Sequence, residues 1–173
     1  MKTFCRKAED LFPLNGEEIE KSMEEYYHDN LDAEKKSWRV SLPLLIQVIK
    51  AAGLGNIYLA AEYELPSGGR IDAVLLGEDA YGSRNALIVE LKQWSIEGIE
   101  YHDNRGSPSI IVNAKKPYPE RHPVNQTKEY TESLKSNHSS AVNGELHIYG
   151  CQFLHGFDRK DKAFFYTRPF CGR

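Results

Sequence analysis

Several things are scarce in this chain. Among its 173 residues there are three cysteines, and Cys5, Cys151 and Cys171 are widely spaced with no CxxC pair. That usage argues against a disulfide framework or a cysteine-rich zinc site, and fits a reducing, cytoplasmic setting. No apolar run approaches the roughly 18 residues of a membrane span. The N-terminal stretch turns acidic where a signal peptide needs an apolar core. The expectation is therefore a chain without a membrane partner. Charge of one sign is also scarce, the formal net charge being -3, so this is not a globally basic nucleic-acid binder. A carboxylate site that binds divalent cations reverses its own local field, so an enzyme acting on nucleic acid is still allowed. The six histidines are scattered, with no HExxH or HxxxH. GxSxG is missing, no cysteine has a nucleophile context, and no GxxxxGK[ST] occurs. Repeats and low-complexity segments are absent too.

What is present is an ordinary globular composition, 40% hydrophobic and 27% charged, in a length suited to one domain with a proper core. Residues 16–36 are charged, with Ile19, Met23 and Tyr26 or Tyr27 at helical spacing, and read as a surface helix and a polar connector. Ser37 to Ala52 predicts a helix with Ser41 as N-cap, Pro43 in the first turn and Gly53 and Gly55 past its end. Its apolar face would be Leu44, Leu45, Val48 and Ile49. The period then changes to that of strands: Ile57–Leu65, Arg70–Gly77 and Ala86–Lys92, with turn residues between. Ile99–Tyr101 and Ile110–Val112 can pair as a hairpin around 104–106. Pro123–Asn137 predicts a second helix and Leu146–Leu154 a returning strand.

The chemistry sits in two of these strands. Glu90 and Lys92 are two residues apart and project from one face of a strand that is otherwise apolar. Asp72 interrupts the preceding strand in the same way, and a hairpin between the two brings Asp72 opposite Glu90. Any single Glu-x-Lys is common and usually a solvated pair. Charges inside an apolar strand, with an aspartate on its neighbour, call for a site. Two carboxylates suit Mg²⁺ or Mn²⁺ together with phosphate oxygens. An adjacent ammonium can orient or deprotonate water, or stabilise charge developing on phosphorus. The basic run Lys115-Lys116 and Arg121, with Tyr118 between them, is a candidate backbone-contacting patch.

Asp72, 17 intervening residues and then Glu90-Leu91-Lys92 resemble the PD-(D/E)XK, or restriction-endonuclease-like, nuclease superfamily. Ile71 stands where the motif's name has proline. Gln126 and Tyr130, at i and i+4 of the second helix, are similar to the QxxxY motif of RecB-type nucleases. SLPLL, EYELP, RIDAVLLG, VELKQW and HPVNQ look like the nuclease-like domain fused to bacterial superfamily-one helicases of the Schlafen-related group. The resemblance covers about residues 37–157. It implies an α/β sandwich with a central mixed sheet flanked by helices, in the order αβββαβ. Residues 1–36 would then be an N-terminal helical extension and 37–173 the nuclease-like domain. It further implies a Mg²⁺- or Mn²⁺-dependent nuclease acting on DNA rather than RNA, in DNA processing or defence, with a helicase or ATPase as a possible partner. Asp72 and Glu90 would bind the metal with the Leu91 carbonyl, Lys92 would act on water, and Gln126, Tyr130 and His122 would place substrate. The superfamily often adds an acidic residue from the first helix. Ser37–Ala52 has none, so Glu62 of EYELP is the favoured substitute, with Glu64, Glu24 and Glu25 as alternatives.

Overall fold

The apolar run expected as the third strand is β4 (Arg84–Lys92), and the fold is organised around it. The computed structural model describes residues 3–27, 32–66, 68–94, 99–102, 110–113 and 120–156. β2 (Tyr58–Glu64), β3 (Arg70–Glu78) and β4 form an antiparallel meander, close to the expected spans. β1 (Phe4–Lys7) adds to β2, and β8 (His147–Leu154) lies parallel to β4 on its other side. The result is a five-stranded mixed open sheet in the order β1-β2-β3-β4-β8. A parallel neighbour needs a crossover, and α4 (Pro123–Asn137) supplies it. The expected hairpin exists as β5 (Ile99–His102) with β6 (Ile110–Asn113), joined by the short β7 (Glu120–Arg121) in a second, three-stranded sheet. The turn at 104–106 lies outside the described residues.

One face of the main sheet packs on the first helices. Leu59, Ala61, Ala73, Val89 and Leu91 meet Trp38, Leu42, Leu45 and Ile49 of α3 (Asp32–Ala51), with Ile19 and Met23 of α2 (Gly16–Glu24) behind them. Each Val, Leu, Ile or Met side chain buried this way contributes about 1.5–3 kcal/mol. α1 (Ala8–Leu11) adds Ala8 and Leu11 to this core. The other face, with Ala60, Val74, Ala86, Ile88 and Ile148, packs on Leu134 and Tyr130 of α4. A short α5 (Ser139–Val142) follows α4.

Three expectations about the N-terminal part need correction. α3 begins at Asp32, so Ser41 is a buried interior residue and Pro43 lies inside the helix. Proline cannot donate to the Arg39 carbonyl four residues back, and the Gly16 backbone packs directly against that carbonyl, leaving no room there for a side chain. The stripe that α3 buries is Trp38, Leu42, Leu45, Ile46 and Ile49, while Val48 is half exposed. The division expected after residue 36 falls within α3, and β1 joins the same sheet as β2. The first 27 residues are thus integral to this core and not an appended helical extension.

α4 is fixed tightly on β8. Gly150 lies beneath Thr127 and Thr131, where any Cβ would collide with both side chains. Both threonines turn their hydroxyls back to their own helix, donating to the Pro123 and Thr127 carbonyls at 2.8 Å. His122 caps the helix, its Nδ1 accepting from the Val124 amide at 3.1 Å, with Pro123 as the first helical residue. Crossing back between parallel strands, α4 brings its N-terminal turn toward the C-terminal ends of β4 and β8.

Candidate active site

Those strand ends carry the charged residues. The β3–β4 ladder runs from Glu78–Arg84 to Ala73–Val89 and stops. One residue further, the Asp72 carboxylate accepts from the Leu91 amide at 2.8 Å. The usual alternation fails at this level: Ile71 packs on the α4 side and Ala73 on the α3 side, leaving Asp72 directed toward β4. Glu90 is fully buried and near enough to Asp72 for the two carboxylate charges to oppose each other. The Lys92 ammonium is 2.8 Å from Glu90 Oε1 and 5.8 Å from the centre of the Trp94 ring. The structure therefore brings Asp72, Glu90 and Lys92 together, as expected from strand spacing.

Electrostatics distinguish this cluster from an ordinary ion pair. Among the described residues neither Glu90 oxygen meets a hydrogen-bond donor in good alignment, Lys92 lying close but off line. Burial pushes the Glu90 carboxyl up to about 7, helped by the Asp72 charge and opposed by Lys92. Burial also raises Asp72, against the Leu91 amide and the Lys92 and Arg70 charges. Without another cation the two carboxyl groups are driven to share a proton. Both oxygens of a buried carboxylate poorly satisfied, beside a second carboxylate, fit a divalent ion well.

Glu62 stands at the same level of β2, between the pairs Ala61–Ala73 and Tyr63–Ile71. It does not join the pair. Its backbone is left-handed (φ 52°), which turns the side chain to the α3 side. There Oε1 accepts from Trp38 Nε1 at 2.8 Å and Oε2 pairs with Arg70 Nε at 2.6 Å. Among the described residues no three His, Cys, Asp or Glu side chains converge as a metal cluster. The expectation that Glu62 completes a carboxylate triad is thus not met, because the residue is committed to Trp38 and Arg70.

Gln126 and Tyr130 share a face of α4, and Gln126 Nε2 donates to the Tyr130 hydroxyl at 3.2 Å. The Tyr130 ring lies against Gly69, at the start of β3, so closely that a Cβ there would meet it at 3.4 Å. His122 is buried at the head of α4, and burial lowers its pKa, favouring the neutral ring. The basic run at 115–119 lies outside the described residues. Sequence reasoning missed Arg70 and Trp94. For Arg70 the signal was available, since it lies two residues along β3 from Asp72, the spacing of a shared face, whereas Trp94 lies past the end of β4 at Lys92. Comparison with family models, curated proteins and solved structures finds no match for this chain. No helix among the described residues is long and apolar enough to cross a membrane.

Proposed function

We propose that this chain is a divalent-cation-dependent phosphodiesterase acting on nucleic acid, DNA in preference to RNA, on a restriction-endonuclease-like sandwich. The observation that carries the reading is the Asp72–Glu90 pair, in which a fully buried carboxylate has no aligned donor among the described residues and lies near enough to a second one to feel its charge. Burying two neighbouring carboxylates against one ammonium leaves a negative charge uncompensated, which is costly, so a purely structural role explains the cluster poorly. The succession α3, β2, β3, β4, α4, β8 supports the fold assignment, since it is the order that the sequence resemblance implies.

Asp72 and Glu90 would hold Mg²⁺ or Mn²⁺, with the Leu91 carbonyl as a further oxygen. The bound cation would supply a water of lowered pKa and a polarised phosphodiester. Asp72 is kept in place by the Leu91 amide, so its carboxylate needs no reorganisation to bind. Lys92, held between Glu90 and Trp94, would donate to the attacking water and to oxygens gaining charge at phosphorus. Gln126 and Tyr130 would contact the nucleic-acid backbone from α4, and neutral His122 would keep the helix N-terminus aimed at the strand ends. A role in DNA processing or defence beside a helicase partner rests on the sequence resemblance alone.

One observation favours a second reading. With Glu62 committed to Arg70, the pair has only two carboxylates, as in a nuclease-like module that grips nucleic acid or a helicase without cutting. The test is cleavage of single- and double-stranded DNA and RNA with Mg²⁺, Mn²⁺ or EDTA, using wild type, Asp72→Ala and Lys92→Ala. Metal-dependent cutting that both variants lose is expected. Binding without cutting, unchanged in the variants, selects the second reading, and cutting by both variants puts the site elsewhere.

A further inference from the structure

The parallel pairing of β4 with β8 sets Gln152 directly beside Glu90. In-register partners on neighbouring strands project from one face, and here that face is fixed by other contacts. Ala86 and Ile88, at alternate positions before Glu90, pack on the α4 side, as does Ile148 before Gln152. Gly150 lies beneath Thr127 and Thr131 on that side, while Cys151 and Phe153 point to α3. Gln152 is thus a polar, half-buried neighbour of the fully buried Glu90. Its carboxamide makes no hydrogen bond within the described residues, and it does not donate to either Glu90 oxygen. A glutamine retained to satisfy the carboxylate would do so.

We infer that Gln152 belongs to the cation site, its carboxamide oxygen serving as a third side-chain ligand beside Asp72 and Glu90. This rests on the cation-binding reading above and deepens it. Hard divalent cations accept amide carbonyl oxygens alongside carboxylates. A neutral oxygen adds a ligand without a third negative charge, which two neighbouring carboxylates would resist in the metal-free protein. Gln152 so takes the place that Glu62, turned to Trp38 and Arg70, leaves open.

The test is Mn²⁺ binding to the whole chain, followed by the electron paramagnetic signal of free Mn²⁺, for wild type, Gln152→Ala, Gln152→Glu and Asp72→Ala. Thermal melting in EDTA is recorded alongside. Gln152→Ala is expected to melt like wild type and to raise the Mn²⁺ Kd about tenfold. Gln152→Glu, which restores an oxygen ligand, is expected to bind at least as tightly as wild type. Wild-type affinity in Gln152→Ala overturns the ligand role while leaving the cation site standing. Binding by Gln152→Glu as weak as that of a folded Gln152→Ala also overturns it. Wild-type protein that binds no more Mn²⁺ than Asp72→Ala sinks the cation site itself, and the ligand role with it. Should Gln152→Ala unfold, the Gln152→Glu comparison with wild type decides.

Discussion

The Leu91 amide donates to the Asp72 carboxylate at 2.8 Å, one residue beyond the last β3–β4 pair at Ala73 and Val89. A side-chain oxygen here replaces the main-chain carbonyl that the ladder would otherwise offer. The strands part around the carboxylate, and Glu90 is left beside it. One hydrogen bond therefore both ends the sheet pairing and orients the acidic group.

Removing Asp72 has two separable consequences. Asp72→Ala leaves the Leu91 N–H without its acceptor and should cost about 1–3 kcal/mol of stability in urea denaturation. Asp72→Asn keeps an acceptor and removes the charge that Glu90 opposes, so in EDTA it should be as stable as wild type or more so. Both should lose Mn²⁺ binding. An Asn variant as unstable as the Ala variant would show that repulsion between the two carboxyl groups is not felt.

The metal-free protein should lose stability as pH rises. Glu90 is raised from 4.5 to about 7, so between those values the folded state binds more protons than the unfolded chain. Stability is then greatest below the unfolded value, falls through the window and levels off above the folded one. Asp72 is shifted in the same direction and adds to the fall. Melting temperatures from pH 4.5 to 8 in EDTA measure this, and Glu90→Gln should flatten the slope. Mg²⁺ should stabilise more at pH 8 than at pH 5.5, because protons compete with it for the same oxygens. A wild-type slope unchanged in Glu90→Gln would contradict the assignment.

How much of this was legible in the sequence depended on whether a regular period carried it. Asp72, Glu90 and Lys92 were legible because alternation in an apolar strand exposes any charge that breaks it. Gln126 and Tyr130 were singled out by their likeness to the QxxxY motif, helical spacing adding only that they share a face. β1 was not legible, since four residues, Phe4 to Lys7, are too few for a period to declare itself. α3 was cut short because Ser41 and Pro43 imitate a helix start. At that level of the helix Gly16 approaches the Arg39 carbonyl, a tertiary contact that local reading cannot supply. Glu62 was misassigned for a comparable reason: a left-handed glutamate inside a strand is set by Trp38 and Arg70, from an element upstream and a neighbouring strand. Gln152 became visible only through strand register.

Glu62 should matter for stability and not for the cation. Its left-handed backbone is unfavourable for a residue with a side chain, and the Trp38 and Arg70 contacts hold it there. Glu62→Ala removes both contacts and should cost about 2–3 kcal/mol, short of the 3–5 of a fully buried pair because Arg70 is partly exposed. The Mn²⁺ Kd of Glu62→Gln, which keeps an acceptor for Trp38, should match wild type. A large loss of Mn²⁺ affinity in that variant would return Glu62 to the list of ligands.

The close seat of α4 on β8 gives the sharpest separation of cation binding from substrate binding. Gly150→Ala drives a methyl group into Thr127 and Thr131, and overpacking of this kind costs about 1–3 kcal/mol. The helix must lift, carrying Gln126 and Tyr130 with it, while Asp72 and Glu90 on β3 and β4 stay in place. Nucleic-acid affinity, measured by fluorescence anisotropy with Ca²⁺ in place of Mg²⁺, should fall while the Mn²⁺ Kd holds. The nearest atom to the new methyl is Thr127 Cγ2, so Thr127→Ser added to Gly150→Ala removes that collision yet keeps the hydroxyl bond to the Pro123 carbonyl. The double variant, in which the methyl still meets Thr131 Oγ1, should regain part of both stability and nucleic-acid affinity. Affinity that stays wild type in Gly150→Ala, with the helix measurably destabilised, would mean that α4 does not touch the substrate.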